Sequence, residues 1–195
     1  MSEKPLEKKH IITIAGKPGS GKSTSSKALA AELGYRHFSS GDLFRAITSQ
    51  MGMQLAEASS HAEKDTSIDH QVDQRLRDIG ESEDHMVIDS RMAWHWMPQS
   101  FKVYLNLDMQ IAAERIIAAT DPGRLESEHI PTDPAEYAAK LESRFASEAR
   151  RYGSLYGVNP YNFDNYDLVV DTNLSDPQQV VRLILSGFRD WASTH

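Results

Sequence analysis

Short apolar runs punctuate a chain that is otherwise mixed or polar. Residues 11–15, IITIA, are continuously apolar or β-branched and end at Gly16, a pattern suited to a strand buried on both faces of a parallel sheet. Residues 22–33 follow, rich in Ala, Leu, Lys and Glu and closed by Gly34, which predicts a helix with a C-terminal glycine. Further strands are predicted at 35–39, 86–88, 103–107 and 168–170. Helices are predicted at 42–50, opened by a Ser39-Ser40-Gly41 turn, at 108 to about 119, and from Asp133-Pro134 onward, with Asp as cap and Pro in the first turn. A closing helix is predicted at 177–191. Two segments lack a clear apolar stripe: 55–79 reads as two peripheral polar helices broken near Asp65-Thr66-Ser67, with Ser67 as a cap. Residues 120–132, rich in Asp, Pro, Gly and Ser, read as a loop.

Strands alternating with helices predict an α/β domain whose parallel sheet is covered on both faces, with ligands at the carboxyl ends of the strands. A chain of 195 residues suits one such domain, 1–195. Composition adds exclusions. A net charge of −7 argues against a nucleic-acid polymer as partner, so an anion site must be built from a few converging basic residues. No apolar run approaches the roughly 20 residues that cross a bilayer, so no membrane partner is expected. Residues 1–9 are polar and read as a flexible end rather than a secretory signal. The absence of Cys fits a reducing cytoplasm, and the eight His show no spacing of a zinc site.

Candidate chemistry begins at the first strand's end. In "GKPGSGKS" the order of Gly16, Gly19, Gly21, Lys22 and Ser23, between a predicted strand and helix, is that of a phosphate-binding loop. Glycines let backbone amides point at phosphate oxygens, the helix N-terminus adds its dipole, Lys22 supplies a mobile charge and Ser23 a hydroxyl for Mg²⁺. Lys17, Ser20 and Thr24 complete the candidate nucleotide-binding stretch. Asp89, ending "MVID", reads as a second Mg²⁺ ligand or as a strand-ending turn residue.

Arginines stand where a second substrate belongs. Arg45 follows Ser40 and Gly41 in "SSGDLFR", and Arg91 ends "IDSR", each at a predicted strand end on the loop's side of the sheet. Arg144, Glu148 and Arg151 share one helical face through i, i+4 and i+7 spacing and read as a phosphate clamp or as solvated surface pairs. Arg115 and Arg124 border the 120–132 loop, whose closure would carry charge onto a transferring phosphoryl group. No catalytic-loop Asp base is evident, which favours an acceptor that is itself a phosphate. Trp94, Trp96 and Met92 read as core or as a base-stacking group.

These stretches, together with "GMQLAEASSHAEKDTSIDHQVDQR", "VIDSRMAWHW", "KVYLNLDMQIAAERI" and "ESRFASEARRYGSLYGVN", resemble the nucleoside monophosphate kinases, most closely the short archaeal-type cytidylate kinases. The resemblance runs from about Ile11 to about Asp171. It implies a three-layer α/β/α P-loop kinase fold with a five-stranded parallel sheet, an acceptor-binding helical segment at about 51–84 and a lid at about 120–132. It implies transfer from ATP, with Mg²⁺, to CMP and also dCMP; a monomer is expected, although the sequence itself does not give the oligomeric state. Arg45 and Arg91 then hold the acceptor phosphate, Arg144 and Arg151 face the phosphates, and Glu148 lies near the acceptor ribose. Lys22, Arg144, Arg151 and Arg124 become the catalytic set. Two residues depart from the family pattern: Lys17, where relatives carry Pro or a small residue, and Ser90, which replaces a Gly and is expected to narrow the approach of the acceptor base. A kinase for AMP, UMP or another phosphorylated metabolite, and a non-catalytic nucleotide-binding module, are the alternatives.

Overall fold

The computed structural model describes residues 9–53, 66–127 and 130–194. Five strands, β1 (Ile11–Gly16), β2 (Arg36–Ser39), β3 (Met86–Asp89), β4 (Phe101–Asn106) and β5 (Leu168–Asp171), form one parallel sheet in the order β2-β3-β1-β4-β5. The strand with the most continuous apolar run, β1, therefore lies in the middle, and all six of its residues are buried.

Alternation along the strands sends side chains to two separate cores. Ile12, Ile14, Val87, Val103 and Leu105 meet Leu29 of α1 (Lys22–Leu33) and Val181, Ile184 and Phe188 of the C-terminal helix, Pro177–Ser193. On the other face, Ile11, Met86 and Ile88 meet Leu76 and Ile79 of the helix Ser67–Ser82. With α2 as Ser40–Gln50, that helix is α3; it is followed by the short α4 (Ala93–Trp96), α5 (Met109–Ala119), α6 (Pro122–Ser127), α7 (Pro134–Tyr156) and α8, the C-terminal helix. Leu107, Met109, Ala112 and Ala113 pack against Ala138, Leu141 and Phe145, which fixes α7 along α5. Helices on both faces of a parallel sheet give the expected three-layer α/β/α arrangement. Among the described residues, no helix is long and apolar enough to cross a membrane.

Caps match the sequence where side chains dictate them. Asp133 accepts from Glu136 N at the start of α7, Asp108 accepts from Gln110 N before α5, and Gly34 closes α1 at φ 68°. Four expectations change. Strand β4 starts two residues early, at Phe101, because the backbone N–H of Lys102 donates to Asp167 Oδ2 and its ammonium pairs with the same carboxylate, so a polar residue fits in the strand. Part of the predicted 120–132 loop is helical: Pro122 opens α6 and Leu125 N donates to Asp121 O. Ser67 is the first residue of α3 and not its cap. Finally, α3 is not peripheral, since Ile68, Leu76 and Ile79 are fully buried; the other predicted helix of that segment falls largely outside the described residues.

Candidate active site

The turn after β1 is held open by its glycines and closed by its own backbone. A Cβ on Gly16 would sit 2.4 Å from Leu105 O, so this strand end approaches β4 too closely for any other residue. Gly19 and Gly21 have φ of 72° and 82°, in the left-handed region. Lys17 contributes its backbone: its N–H donates to Leu105 O at 3.3 Å, a bond Pro could not make. Its carbonyl accepts from Ser20 Oγ at 2.8 Å and Lys22 Nζ at 2.9 Å. Gly21 offers α1 no side-chain cap, so the first amides of that helix remain open to an anion. Burial lowers the Lys22 pKa to about 8, reinforced by Arg91 and Arg144 and opposed by Asp89 and Glu148.

Register brings the next group to the loop. Asp89 stands beside Ile14 of β1 and Ser39 of β2, and its Oδ2 accepts from Ser23 Oγ at 2.6 Å. A buried carboxylate and a hydroxyl at the mouth of an anion site form a hard-oxygen donor set suited to Mg²⁺.

Beyond Asp89 the sheet edge opens into a cleft of about 910 Å³, walled by α2, α3 and α7 as well as by the phosphate loop. Ser40, Gly41, Arg45, Arg91, Arg144, Glu148 and Arg151 all line it, so the predicted acceptor residues are brought together. Arg45 pairs with Asp42 one turn earlier on α2. Arg91 and Arg144 converge on Glu148 Oε1, at 3.3 and 3.1 Å, while Tyr161 donates to Glu148 Oε2 at 2.6 Å. This is not a solvated pair, because Glu148 is 8% exposed. Burial alone would raise its pKa, but Arg91, Arg144 and the Tyr161 hydroxyl hold it below the usual carboxylate range. Burial likewise opposes the Arg91 charge, and Glu148, Tyr152 and Tyr161 together more than offset it. Arg151 pairs with Asp69 of α3 at 3.5 Å.

Other candidates are placed elsewhere. Arg115 donates to the carbonyls of Thr172 and Asn173, at 2.9 and 3.0 Å, beside a recess of about 330 Å³ formed with Gly19, Gly21, Thr24 and Ile116. It is thus anchored on the loop's outer flank. Arg124 lies on α6, and its side chain is outside the described residues. Trp94 donates to Arg91 O and packs with Ala15 and Tyr104; Trp96 donates to Asp73 Oδ1 at 3.0 Å beneath Arg77. Both are framework rather than a base-stacking surface, and only Met92 of that trio reaches the cleft. Ser90 does line the cleft, and its hydroxyl accepts from Met92 N at 3.3 Å, bracing the turn that presents Arg91.

Sequence reading passed over Asp69, Asp73 and Tyr161. The signal for the first two was present: Ile68, Val72, Leu76 and Ile79 recur at helical spacing, and Asp69 and Asp73 each follow a member of that buried stripe. Tyr161 carries no local signal. His10, Asp84 and His85, remote in sequence, also come together, their ligand-type atoms lying within 4.8 Å of one another on an exposed surface at the opposite end of the sheet.

Residues 11–174 match the model of the cytidylate kinase-like family. Among curated proteins, the cytidylate kinase of Halobacterium salinarum is 36% identical over 90% of this chain and 87% of its own length. That of Methanobrevibacter smithii is 31% identical over 90% of this chain and 96% of its own. Among solved structures, a shikimate kinase from Bacteroides thetaiotaomicron superposes with a TM-score of 0.58 at 16% identity, covering 94% of this chain and 97% of that one. A gluconokinase from Sinorhizobium meliloti gives the same TM-score and identity over 96% of both chains. At that identity the likeness concerns the fold alone.

Proposed function

Because the chain belongs to the cytidylate kinase-like family, we propose how its residues divide the work of phosphorylating CMP with ATP, giving CDP and ADP. Gly16 to Thr24 cradle the donor triphosphate, with Lys22 giving up the Lys17 carbonyl to reach it. Ser23 and Asp89 hold Mg²⁺, which when bound neutralises triphosphate charge. Ser40, Gly41, Arg45 and Arg91 receive the acceptor phosphate. An oxygen of that phosphate attacks the γ-phosphorus in line, the bond from γ-phosphorus to the β,γ-bridging oxygen breaks, and ADP departs. Arg144, near enough to Lys22 to lower its pKa, stabilises charge on the transferring group. Arg151 closes the far end of the cleft.

What carries this reading is a cleft opening on a phosphate loop and lined by five arginines, Arg45, Arg91, Arg144, Arg150 and Arg151, while the carboxylates nearest that loop are already committed. Asp89 is bonded to Ser23, and Glu148 to Arg91, Arg144 and Tyr161. Neither is available as a general base, and an ionised phosphate acceptor needs none. Glu148 lies where the resemblance puts the acceptor ribose, but its oxygens already have protein partners. That supports acceptance of dCMP as well as CMP, since a 2′-hydroxyl is not required to satisfy it.

Residues 51–84 form the acceptor-binding segment and 120–132 the lid, with Arg124 as its charge; the described part of the lid follows α5 directly. The enzyme works as a monomer in the cytoplasm, a compartment consistent with a cysteine-free chain. A coupled ADP-release assay over CMP, dCMP, UMP and AMP tests the reading. CMP and dCMP should turn over best; AMP turnover well above CMP, or ATP hydrolysis indifferent to any acceptor, would overturn it.

A further inference from the structure

The pairing of β1 with β3 assembles a second cluster of chemistry at the end of the sheet opposite the cleft. Ile11 stands beside Met86, so the residues before them, His10 and His85, come side by side with ring centroids 4.9 Å apart. Asp84 faces both: its Oδ2 lies 3.3 Å from His85 Nδ1 and 4.0 Å from His10 Nδ1. No local spacing in the sequence announces this set, because its members meet only when the strands pair.

The cluster is held in place by more than its own contacts. Met86 N donates to His10 O at 3.1 Å and Arg36 N donates to His85 O at 3.0 Å, so both histidine backbones are fixed by the sheet. His85 has a φ of 55°, a left-handed conformation that costs energy outside glycine, and among the described residues no other non-glycine residue has a positive φ. Its N–H donates to Asp84 Oδ1 at 2.9 Å, which leaves Oδ2 for the imidazoles. The rings of Tyr35 and Phe188 stand edge-on to His85 and His10, at 5.0 and 6.2 Å. Nearby cations are engaged elsewhere: Arg36 pairs with Glu83, and Lys9 Nζ donates to the carbonyls of Gly80 and Glu81. All three side chains are about half exposed, so an ion reaches them directly from solvent.

The separations suit an ion better than hydrogen bonds. A charge-assisted N–H···O bond is about 2.7–2.9 Å long. A tetrahedral ion with bonds of about 2.0–2.2 Å instead holds its ligand atoms about 3.3–3.6 Å apart. The His85 contact already has that spacing, and the His10 contact needs to close by only about 0.5 Å, within reach of side-chain rotation.

We propose that His10, Asp84 and His85 bind a divalent transition-metal ion, with Zn²⁺ favoured by two imidazoles and a carboxylate and with water completing the shell. Mg²⁺ takes oxygen ligands, so this ion differs in kind from the one assigned to Ser23 and Asp89. It clips the start of β1 to the turn between α3 and β3, remote from the phosphate loop. Its role is to stabilise the fold, since an ion that binds the folded chain alone raises stability with its concentration.

The test is calorimetric titration of Zn²⁺ into the full chain, free of any histidine tag, with millimolar Mg²⁺ present to fill the oxygen site. One ion per chain should bind, and Zn²⁺ at a hundredfold excess over its Kd should raise Tm by about 5–10 °C. His10→Gln and His85→Asn, the latter chosen because Asn tolerates the left-handed conformation, should each weaken Zn²⁺ binding by at least about tenfold and remove most of the Tm gain. Asp89→Asn should leave both readouts unchanged. Far-UV circular dichroism and ATP affinity check that each variant is folded. Zn²⁺ binding that needs millimolar metal, that survives both histidine substitutions in folded protein, or that is lost in Asp89→Asn overturns the proposal. None of these readouts depends on which nucleotide the protein phosphorylates, so the CMP assignment stands or falls separately.

Discussion

Ser23 Oγ lies 2.6 Å from Asp89 Oδ2, and this hydrogen bond joins the start of α1 to the end of β3. The two residues are far apart in sequence but neighbours in space because β3 pairs directly with β1. Each is therefore held by a rigid element, in the manner required of groups that must present oxygens to a cation without rearrangement.

Asp89→Asn should keep the Ser23 contact but lose the negative charge. The expected outcome is a fall in kcat of about 100-fold or more and a rise in the Mg²⁺ concentration giving half-maximal rate. Titrating Mg²⁺ at saturating ATP and CMP checks this, and an unaltered Mg²⁺ dependence would exclude Asp89 from the metal site.

Arg45→Ala and Arg91→Ala should each raise the KM for CMP by about tenfold or more, while nucleotide titration shows ATP affinity within about threefold of the unmodified protein. Arg91→Ala should show the larger defect, because it also strips Glu148 of a partner at 3.3 Å.

Lys22 sets a pH limit on donor capture. Burial, with Arg91 next, lowers its pKa in the free protein to about 8, so its charge is present below that pH and lost above it. Log(kcat/KM) for ATP should be level below about pH 8 and fall by about one unit per pH unit above it. The inflection in kcat should lie higher, because bound triphosphate favours the charged amine. Replacing Arg91 with Met removes a depressing charge and should move the free-enzyme inflection upward; a level profile to pH 10 would contradict this account.

Glu148→Ala should destabilise the fold by about 3 kcal/mol at pH 7, since Arg91 would keep a largely buried charge without its acid. The folded-state pKa of Glu148 lies below its usual 4.5, so its contribution is complete above that pH and fades as pH falls through the lower folded value. Urea unfolding at pH 7 and at pH 3 should show the gap between the two proteins narrowing in acid.

Legibility in the sequence followed the reach of the forces involved. The phosphate loop and α1 could be read residue for residue, because glycine torsions, caps and a lysine at fixed spacing act within one turn of chain. The Arg144, Glu148 and Arg151 face could be read as a face, but whether it was buried could not: that depends on Arg91 and Tyr161, which arrive from other elements. Trp94 and Trp96 looked able to stack on a base because composition does not reveal that Arg91 O and Asp73 already accept from their indoles. Arg115 fitted a lid by sequence proximity, yet carbonyls after β5 secure it at the loop's flank. Polar α3 reads as peripheral because its charged residues outnumber its apolar ones, although the apolar stripe sits on the sheet.

Placing β1 in the middle of the sheet also has a consequence for how the molecule acquires its activity. Both partners of β1, β3 and β4, come from much later in the chain, and Gly16 takes its shape against Leu105. The loop cannot be finished by local folding; it must await two long-range strand pairings, each with a substantial loop-closure cost. Nucleotide capture should consequently appear late during refolding, after helical signal has recovered, so a nascent chain truncated before β4 would carry the whole motif and bind no nucleotide.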